Sequence, residues 1–302
     1  MLQTIRNAWK VEDLRKKIMY VLMILLLYRV GSQIPVPFLI PNISSSMNQL
    51  ASEGILQYLN ILSGGAFSRA TLFALGISPY ITSSIVIQLL TVAIPPLERM
   101  AKEGEEGKKK INQLTRVVTI ALALITAIGY YFMLKNYGYL TTDGSTVFGA
   151  IVIIACYCAG SSLVMWLAEK INENGIGNGI SLILFANIVS SGPSILNALV
   201  ALCTGTYSTE ISLAWGIVMS VASVIIGLGM VLLIVFITNS ERRLPIQYAK
   251  KVVGRKMYGG QNSTLPIKVN NTGVMPIIFA SSIVSLPATI NVILQNAGVK
   301  NW

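Results

Sequence analysis

The sequence contains no histidine, and only 12% of its 302 residues are charged, about half the fraction of a typical soluble domain. All 12 acidic residues lie between the long apolar runs or at their ends. Ion-coupled transporters and proton pumps normally bind their ion at membrane depth with a carboxylate or a histidine. A serine protease in the membrane needs a histidine or lysine base beside its serine, and no such pair is visible at depth. These absences disfavour an ion-coupled carrier and an enzyme.

Cysteine is also scarce. The three cysteines are Cys156, Cys158 and Cys203, and two of them lie inside an apolar run. Their spacing is not that of a metal site. We therefore expect them to be small buried apolar side chains, and we expect neither a metal nor a cofactor.

Long apolar runs are abundant, since 53% of the residues are hydrophobic. A helix needs about 20 residues to cross a hydrocarbon core roughly 30 Å thick. Lipid admits only helices and closed barrels, and these runs do not alternate as the strands of a barrel do. The sequence therefore predicts an all-α, polytopic helical membrane protein. The seven predicted spans are Ile18–Ile34, Leu72–Ile94, Leu114–Leu134, Val147–Ala168, Asn178–Leu202, Ile211–Thr238 and Gly273–Leu294.

Basic residues are distributed unevenly between the two sides of the predicted spans. If the N-terminus is cytoplasmic, nineteen of the 23 lysines and arginines fall in cytoplasmic segments or, in the case of Arg116, at the cytoplasmic end of a span. Membrane proteins carry such an excess of Lys and Arg on the cytoplasmic side. The sequence therefore predicts a cytoplasmic N-terminus, and part of the net charge of +11 is a topology signal.

The loop between the sixth and seventh spans combines positive charge with a distinctive pattern. The segments "RLPIQYAKK" and "STLPIKVN" predict two extended arms around turn residues Gly254, Gly259 and Gly260, with Arg255 and Lys256 near the tip. Such a hairpin suits anionic lipid or an anionic partner such as ribosomal RNA or an acidic protein face, and a merely solvated face is the alternative. The loop between the second and third spans is predicted to be a smaller cytoplasmic loop.

The stretch before the second span is unusual. It reads "LNILSGGAFSRATLFALGISPYITSSIVIQLLTVAI", and its first half, with Gly64, Gly65 and Arg69, is too short and too polar to cross a bilayer. Small neutral polar residues recur in "GISPYITSS", "GIGNGIS" and "FASSI". They fit either close helix packing or a path for a large substrate, which the path must not bind tightly and around which it must not let ions pass. The residues alone favour packing.

Six motifs together resemble the bacterial SecY family, the pore subunits of the protein-conducting channel. They are "RVGSQIPVP", "GGAFSRATLFALGISPYITSSIVIQLLTV", "KEGEEGKKKINQLTR", "NGIGNGISLILFANIV", "YAKKVVGRKMYGGQNSTLPIKVN" and "GVMPIIFASSIVSLPATI", in one order along essentially the whole chain. The family has ten spans in two five-span halves related by an inverted pseudo-symmetry. The resemblance therefore implies a SecY-like inverted-repeat bundle truncated after span 7. The implied organisation is a cytoplasmic arm at 1–17, a five-span half at 18–202 with a plug at about 58–71, and a partial second half at 203–302 with the basic hairpin at about 239–272.

The resemblance assigns "YLNILSGGAFSRATLF" to the family's plug, a short half-helix that folds back into the outer funnel and blocks the resting pore. Non-helical backbone at membrane depth is tolerated only where it lines protein or a water-filled cavity. Gly64 and Gly65 would supply a hinge, Arg69 would face the wet funnel, and Pro79 would lie in the first turns of the second span. The predicted plug residues are Leu62, Ser63, Gly64, Gly65, Ala66, Phe67, Ser68 and Arg69.

The resemblance also implies a pore ring and a lateral gate. A narrow aliphatic ring excludes water and ions, yet it can close around a moving chain of any sequence. The matching ring positions are Ile77, Ile81, Ile180, Leu184 and Ile278, for which the residues alone favour ordinary core packing. Signal sequences leave for lipid between the second and seventh spans, where the matching positions are Thr82, Ile85, Gln88, Ser282 and Leu286.

The implied function is that of a non-enzymatic central subunit of a translocation channel in the bacterial cell membrane. SecE would clamp the two halves, SecG would accompany them, and the SecA motor or the ribosome would dock on the basic loop and supply the energy. Signal peptides and preproteins would be the cargo, membrane lipids would surround the chain, and no small-molecule substrate is expected. Two alternatives are a carrier without ion coupling, built on inverted repeats, and a membrane scaffold if the shortened chain is native. The predicted docking residues are Arg242, Arg243, Lys250, Lys251, Arg255 and Lys256.

Overall fold

The computed structural model describes residues 10–40, 47, 54–203, 213–246, 251–253, 256–258, 263–270 and 280. Most of these residues are helical, which confirms the predicted helical class. The helices are α1 (Glu12–Gly31), α2 (Gly54–Leu62), α3 (Ser78–Ala93), α4 (Pro95–Lys102), α5 (Glu105–Asn136), α6 (Val147–Asn174), α7 (Gly179–Ser190), α8 (Gly192–Cys203) and α9 (Leu213–Asn239). The strands are β1 (Glu241–Ile246), β2 (Lys251–Val253), β3 (Lys256–Tyr258) and β4 (Ser263–Lys268).

The chain divides into two units, with the boundary between Pro193 and Ser194. The first unit holds α1 to α7. The second unit holds most of α8 together with α9 and the four strands.

Several helices can cross a membrane, as the sequence predicts. Among the described residues, four stretches are long and apolar enough: α5, α6, Gly179–Ala201 formed by α7 and α8, and Trp215–Asn239 within α9. Helices α3 and α4 together qualify as a fifth, although they are bent by 103°. Helix α1 overlaps the predicted first span, and the predicted run Gly273–Leu294 lies outside the described residues.

The second span starts later than predicted. Residues 72–77 form turns, and α3 begins only at Ser78, with Pro79 in its first turn as expected. The apolar side chains of residues 72–77 suggest a helix, but the backbone N–H groups make other hydrogen bonds than those of a helix. The N–H of Leu72 donates to the carbonyl of Ile34 (2.9 Å), and the N–H of Gly76 donates to Phe73 (2.9 Å). A predicted start at Leu72 is therefore wrong.

The segment between the second and third spans is helical rather than a loop. Only Glu103 and Gly104 separate α4 from α5, and α5 begins nine residues before the predicted Leu114. Two prolines open α4 in its first turn, where a missing N–H costs least. The ion pair between Lys102 and Glu98 (2.6 Å) then spans one turn of α4.

The core of the first unit lies where α5 and α6 meet the turns that follow α2. Aromatic rings dominate its centre: Tyr130 packs on Phe67 at 4.8 Å between ring centroids and edge-on against Tyr157 at 5.0 Å. The buried cluster comprises Val36, Met47, Phe67, Ala70, Ala74, Ala127, Tyr130, Tyr131, Met133, Leu134, Ile153 and Tyr157.

Polar contacts tie α3, α5 and α6 together at their other ends. The buried Ser83 hydroxyl of α3 donates to the Thr115 carbonyl of α5 at 2.8 Å. The guanidinium of Arg116 on α5 binds both carboxylate oxygens of Glu169 on α6, each at 2.8 Å. The first bond attaches α3, which carries predicted ring and gate residues of the second span, to α5, and the ion pair joins α5 to α6.

The two extended arms expected after the sixth span are strands. β1 and β4 pair antiparallel from Glu241 opposite Lys268 to Ile246 opposite Ser263. β2 and β3 form a second antiparallel pair, in which Val253 lies opposite Lys256.

Candidate functional site

The residues between Gly54 and Ile77, called here the α2–α3 segment, form a short helix followed by a series of turns. Only Leu62 of the predicted plug residues is helical, because α2 ends there and residues 63–70 are turns. Of the stretch that the resemblance assigns to a plug half-helix, residues 58–73, only the first five are helical, as the end of α2.

Two glycines end α2. Gly64 and Gly65 have φ values of 64° and 81°, a conformation that glycine adopts without a Cβ penalty. The N–H of Gly65 donates back to the Asn60 carbonyl at 2.9 Å. A Cβ on Gly64 would lie 2.9 Å from both Asn187 Oδ1 and Ser190 Oγ, so there is also no room for a side chain at this position.

Internal hydrogen bonds organise the turns after α2. The Asn60 side chain accepts from the N–H of Ser68 at 3.1 Å, and the Ser63 hydroxyl accepts from the N–H of Phe67 at 3.0 Å. The Ser63 hydroxyl itself donates to the Asn60 carbonyl at 3.0 Å. Polar side chains in this stretch therefore satisfy its own backbone, as non-helical backbone at membrane depth requires.

Two buried tyrosines hold the turns from outside the segment. The Tyr130 hydroxyl of α5 donates to the Phe67 carbonyl at 2.7 Å, and the Tyr157 hydroxyl of α6 donates to the Ala70 carbonyl at 3.3 Å. Ala70 has a φ of 48°, which is unfavourable for a residue with a Cβ. The surrounding contacts over-determine this conformation, and Ala70 is fully buried.

The segment also pairs with the chain that leaves α1. Thr71 forms an isolated antiparallel bridge with Pro35. The ring of Phe73 stacks on Tyr28 at 5.4 Å between centroids. Gly160 of α6 also approaches the Leu72 carbonyl so closely that a Cβ there would collide with backbone.

Substitution of Gly160 by alanine is expected to destabilise the first unit by about 1–3 kcal/mol, the usual cost of overpacking. The collision is with the backbone of Leu72, which has little freedom to move. The measurement is thermal unfolding of the purified protein.

Gly227→Ala is the matched control for this substitution. Gly227 also lies inside a helix, and no described atom lies within 4 Å of a Cβ there. Both changes gain up to about 1 kcal/mol of helix propensity, so their difference isolates the collision. Equal melting temperatures for the two variants would contradict the close contact between α6 and Leu72.

Helix α7 holds the C-terminal end of α2. The side chain of Asn187, which is 1% exposed, donates from Nδ2 to the Leu62 carbonyl at 2.6 Å. This carbonyl is among the last four of α2, which have no partner within their own helix. Asn187 therefore caps α2 from a neighbouring helix.

Arg69 is half-buried and bound mainly to its own segment. Its Nε donates to the Gly65 carbonyl at 3.1 Å, and its Nη1 donates to Gln33 Oε1 at 2.7 Å. That Arg69 faces a water-filled funnel stays a prediction. The guanidinium is partly accessible, and its donors are bound to Gly65 and Gln33.

The predicted ring residues lie on two helices. Ile77 is the residue that caps α3 and Ile81 lies in its first turn, and both are buried. Ile180 and Leu184 are half-buried and one turn apart on α7. Ile278 lies outside the described residues, so the ring as a whole stays a prediction.

Of the predicted gate residues, Thr82 and Ile85 are buried on α3 and Gln88 is exposed near its end. Ser282 and Leu286 lie outside the described residues, and the seam between the two spans is a prediction.

The predicted docking residues lie around the strand ladders. Arg242 and Arg243 are exposed on β1, opposite Ile267 and Pro266. Lys251 and Lys256 belong to β2 and β3, whereas Lys250 and Arg255 lie outside the described residues.

All three cysteines are free and half-buried, and no group of His, Cys, Asp or Glu within the described ranges could hold a metal ion.

Sequence reasoning missed the residues that hold the segment in place. Asn187, Tyr130 and Tyr157 bind carbonyls that are 63 to 125 residues away in the chain. One signal was present: Asn187 is a strongly polar residue inside an apolar run, and such a side chain needs a partner.

Comparison with known proteins identifies the family. The model of the SecY family matches residues 71–302. A protein translocase subunit SecY from Streptomyces galbus is 40% identical over 313 residues, which cover 100% of this chain and 70% of the relative. A subunit of the same description from Mycobacterium tuberculosis is 39% identical, over 98% of this chain and 67% of the relative.

The chain belongs to the SecY family.

Solved structures support the same fold. A structure described as a protein conducting channel matches with a TM-score of 0.64 at 21% identity, and Sec61 in a canine ribosome-channel complex matches with 0.63 at 21% identity. A SecY protein whose plug domain is described as stabilising the closed state of the channel matches with 0.62 at 19% identity. Each match covers 93% of this chain and 58–59% of the other.

SecY membership confirms two predictions made from the sequence. The fold is that of the SecY and Sec61 channels, and the chain is not an enzyme, because the relatives are described as translocase and channel subunits. The chain spans about 60% of the channel chains of known structure, and so its activity and partners are inferred below.

Proposed function

We propose that this chain is the central subunit of a protein translocation channel, through which secretory polypeptides cross the membrane. Family membership and the channel fold support this function. The single observation that carries it is the α2–α3 segment. A half-helix and a set of turns at the start of a membrane span are held by side chains of three neighbouring helices, α5, α6 and α7.

In this proposal the α2–α3 segment is the plug of the resting channel. A plug must be ordered when the channel rests, because it seals against ions, and it must also leave without unfolding the helices around it. The described contacts of its helical part fit both requirements, since a side-chain hydrogen bond from Asn187 to the Leu62 carbonyl joins α2 to α7, whereas Phe67 and Ala70 of the turns belong to the buried core. The SecY protein with a plug that stabilises the closed state gives a precedent in the same fold.

The proposed pore ring consists of Ile77 and Ile81 on α3, Ile180 and Leu184 on α7, and Ile278. Two features support it. The members on each helix are one turn apart and therefore share a face. Ile180 and Leu184 are also only half-buried in a helix whose Ile183 is fully buried, so their face is less covered by the described chain.

Replacement of Ile81 by asparagine is expected to raise the resting ion conductance of the assembled channel in lipid bilayers. The amide holds water in a constriction that blocks ions by staying dry. Ile87→Asn is a matched control, because Ile87 lies on the same helix but another face, and the two residues are 8% and 2% exposed. Equal conductance in the two variants would support plain packing and remove Ile81 from the ring.

We also propose a lateral gate between α3 and the seventh predicted span, formed by Thr82, Ile85 and Gln88 with Ser282 and Leu286. Signal peptides and transmembrane segments would leave for lipid through it. The polar members are few and neutral, and hydrogen bonds between membrane helices are weak, at about 0.6 kcal/mol on average. Such a seam can open when a hydrophobic helix binds.

The strand ladders after α9 are the proposed docking surface for the SecA motor and the ribosome. Exposed Arg242 and Arg243 suit acidic protein surfaces or RNA, and a Sec61 relative of this fold is known in a ribosome-channel complex. SecE and SecG are the proposed companion subunits, with preproteins as cargo and lipids as surroundings.

The proposed location is the bacterial cell membrane, with the N-terminus in the cytoplasm. The excess of basic residues in segments on one side supports this orientation. A cysteine at Lys109 that reacts with a membrane-impermeant reagent only from the outer side would contradict it.

A further inference from the structure

The two parts of the α2–α3 segment are attached to the first unit in different ways. The turns from Ala66 to Leu72 bind Tyr130 of α5, Tyr157 of α6 and the carbonyl of Ile34. Helix α2 is exposed at Gln57 and Ile61, and its main partner among the described helices is α7. The turns are therefore fixed from several sides, whereas α2 rests mainly on α7 and is joined to the turns by the bond between Asn60 and Ser68.

Gly64 and Gly65 separate these two parts. Both have a left-handed φ, and only Ser63 separates them from the last residue of α2. Because glycine passes between left-handed and right-handed backbone conformations at little cost, a change here can redirect α2. The only side-chain bond from α2 to the described turns beyond the glycines that such a change must break is that of Asn60 Oδ1 with the N–H of Ser68 (3.1 Å). The pair has the properties of a hinge.

One strong side-chain hydrogen bond joins the end of α2 to α7. Asn187 Nδ2 donates to the Leu62 carbonyl at 2.6 Å from a nearly inaccessible position. The Ser190 hydroxyl lies 3.4 Å from the Gly64 carbonyl, but it has a single proton and a much closer acceptor in the Asn187 carbonyl at 2.7 Å. Asn187 therefore provides the main polar attachment of α2 to α7.

Asn187 also lies on the same side of α7 as the two proposed ring residues of that helix. Ile180, Leu184 and Asn187 follow one another at spacings of four and three, which places them along one side of α7. A polar side chain at the end of this apolar line needs a partner inside the membrane, and the end of α2 supplies it. The bond thus connects the position of α2 to the helix that carries two proposed ring residues.

We propose that Asn187 is the latch of the resting channel, and that α2 swings about Gly64–Gly65 while the turns from Ala66 onward stay with α5 and α6. This inference rests on the proposed role of the segment as a plug. Hydrogen bonds between membrane helices have strengths that shift a two-state equilibrium by about 3-fold on average and up to about 18-fold. A bond of this size biases α2 toward its resting place and still lets an arriving polypeptide displace it.

The test measures distances by pulsed electron spin resonance in the assembled channel, reconstituted into lipid without a precursor. One pair of spin labels replaces Gln57 on α2 and Ser181 on α7, both of which are exposed. A second pair replaces Leu75, in the fixed turns, and Ser181. Asn187→Leu is expected to increase the released, longer-distance population of the first pair by about 3- to 18-fold and to leave the second pair unchanged.

Three variants make the test specific. Tyr130→Phe removes a bond of similar length from the fixed turns, and it is expected to leave the Gln57–Ser181 distance unchanged. Asn187→Gln keeps an amide donor and is expected to restore part of the resting population. Asn187→Ala replaces Asn187→Leu if the bulkier apolar side chain prevents assembly, and the same increase is expected from it.

The outcomes separate the latch from the plug. A released α2 together with a raised ion conductance supports both, and a released α2 with unchanged conductance supports the latch and contradicts the plug. An unchanged Gln57–Ser181 distance in Asn187→Leu and Asn187→Ala overturns the latch, whatever the conductance. Equal lengthening of both label pairs overturns the hinge, because the segment then moves as one body.

Discussion

Cysteines in place of Thr82 and Leu286 are expected to form a disulfide, and the oxidised channel is expected to stop exporting and inserting signal-bearing chains. A disulfide requires Cα atoms within about 7 Å, so its formation reports that α3 and the seventh predicted span are neighbours at these positions. The covalent bond prevents the two helices from separating. Transport should fall to background under oxidation, because the proposed gate is the route for every signal sequence.

Reduction should restore transport, since the disulfide blocks only an opening motion. The three native cysteines are free, and they are replaced first so that no other pair can form. The single-cysteine variants at Thr82 and at Leu286 serve as controls for the oxidant and should transport normally. A carrier of small molecules would show no effect of this pair on preprotein passage.

Two results would count against the gate. A pair that never cross-links in an assembled, otherwise active channel would mean that the two spans are not adjacent at these residues. A pair that cross-links fully while export continues would mean that the seam need not open.

The sequence predicted the starts of membrane helices well where the helix begins at the edge of a long apolar run. Helices α6 and α9 start within two residues of the predicted runs, because an apolar stretch of this length has few alternatives in a bilayer. The first nine residues of α5 were not predicted as part of the third span. They are polar and extend the helix beyond the apolar run, where hydropathy carries no signal.

The start of the second span shows a different limit. Residues 72–77 are as apolar as a span, yet they are turns: the N–H of Leu72 bonds to the distant carbonyl of Ile34, and those of Ala74 and Gly76 bond to carbonyls three residues back. Apolar composition predicts that a segment is removed from water. It does not predict which hydrogen bonds the backbone of that segment makes. The presence of Gly64, Gly65 and Arg69 did indicate that something other than a span precedes α3.

The candidate site was only partly accessible from the sequence. The resemblance singled out residues 58–73, which form the end of α2 and the turns after it, and helical spacing correctly paired Ile180 with Leu184 on one helix. The contacts that hold the segment could not be read, because each joins residues far apart in the chain. Asn187 and Leu62, for example, are separated by 125 positions.

A photo-cross-linking experiment addresses the proposed ring itself. Photoreactive side chains replace Ile81 on α3 and Leu184 on α7, one at a time, in the assembled channel. A precursor stalled during export is expected to cross-link to both positions, because a chain that passes the ring must touch every side chain in it. A precursor with a defective signal is expected to cross-link to neither.

The most direct measurement of the central claim is the ratio of precursor cross-links at Ile81 and Leu184 to those at Ile151. Ile151 is the control because it lies on α6 and is 62% exposed, as expected for a side chain in contact with lipid. If the chain forms a polypeptide-conducting pore lined by α3 and α7, cross-links should be strong at Ile81 and Leu184 and at background at Ile151. Background cross-linking at Ile81 and Leu184, or equal cross-linking at all three positions, would contradict it.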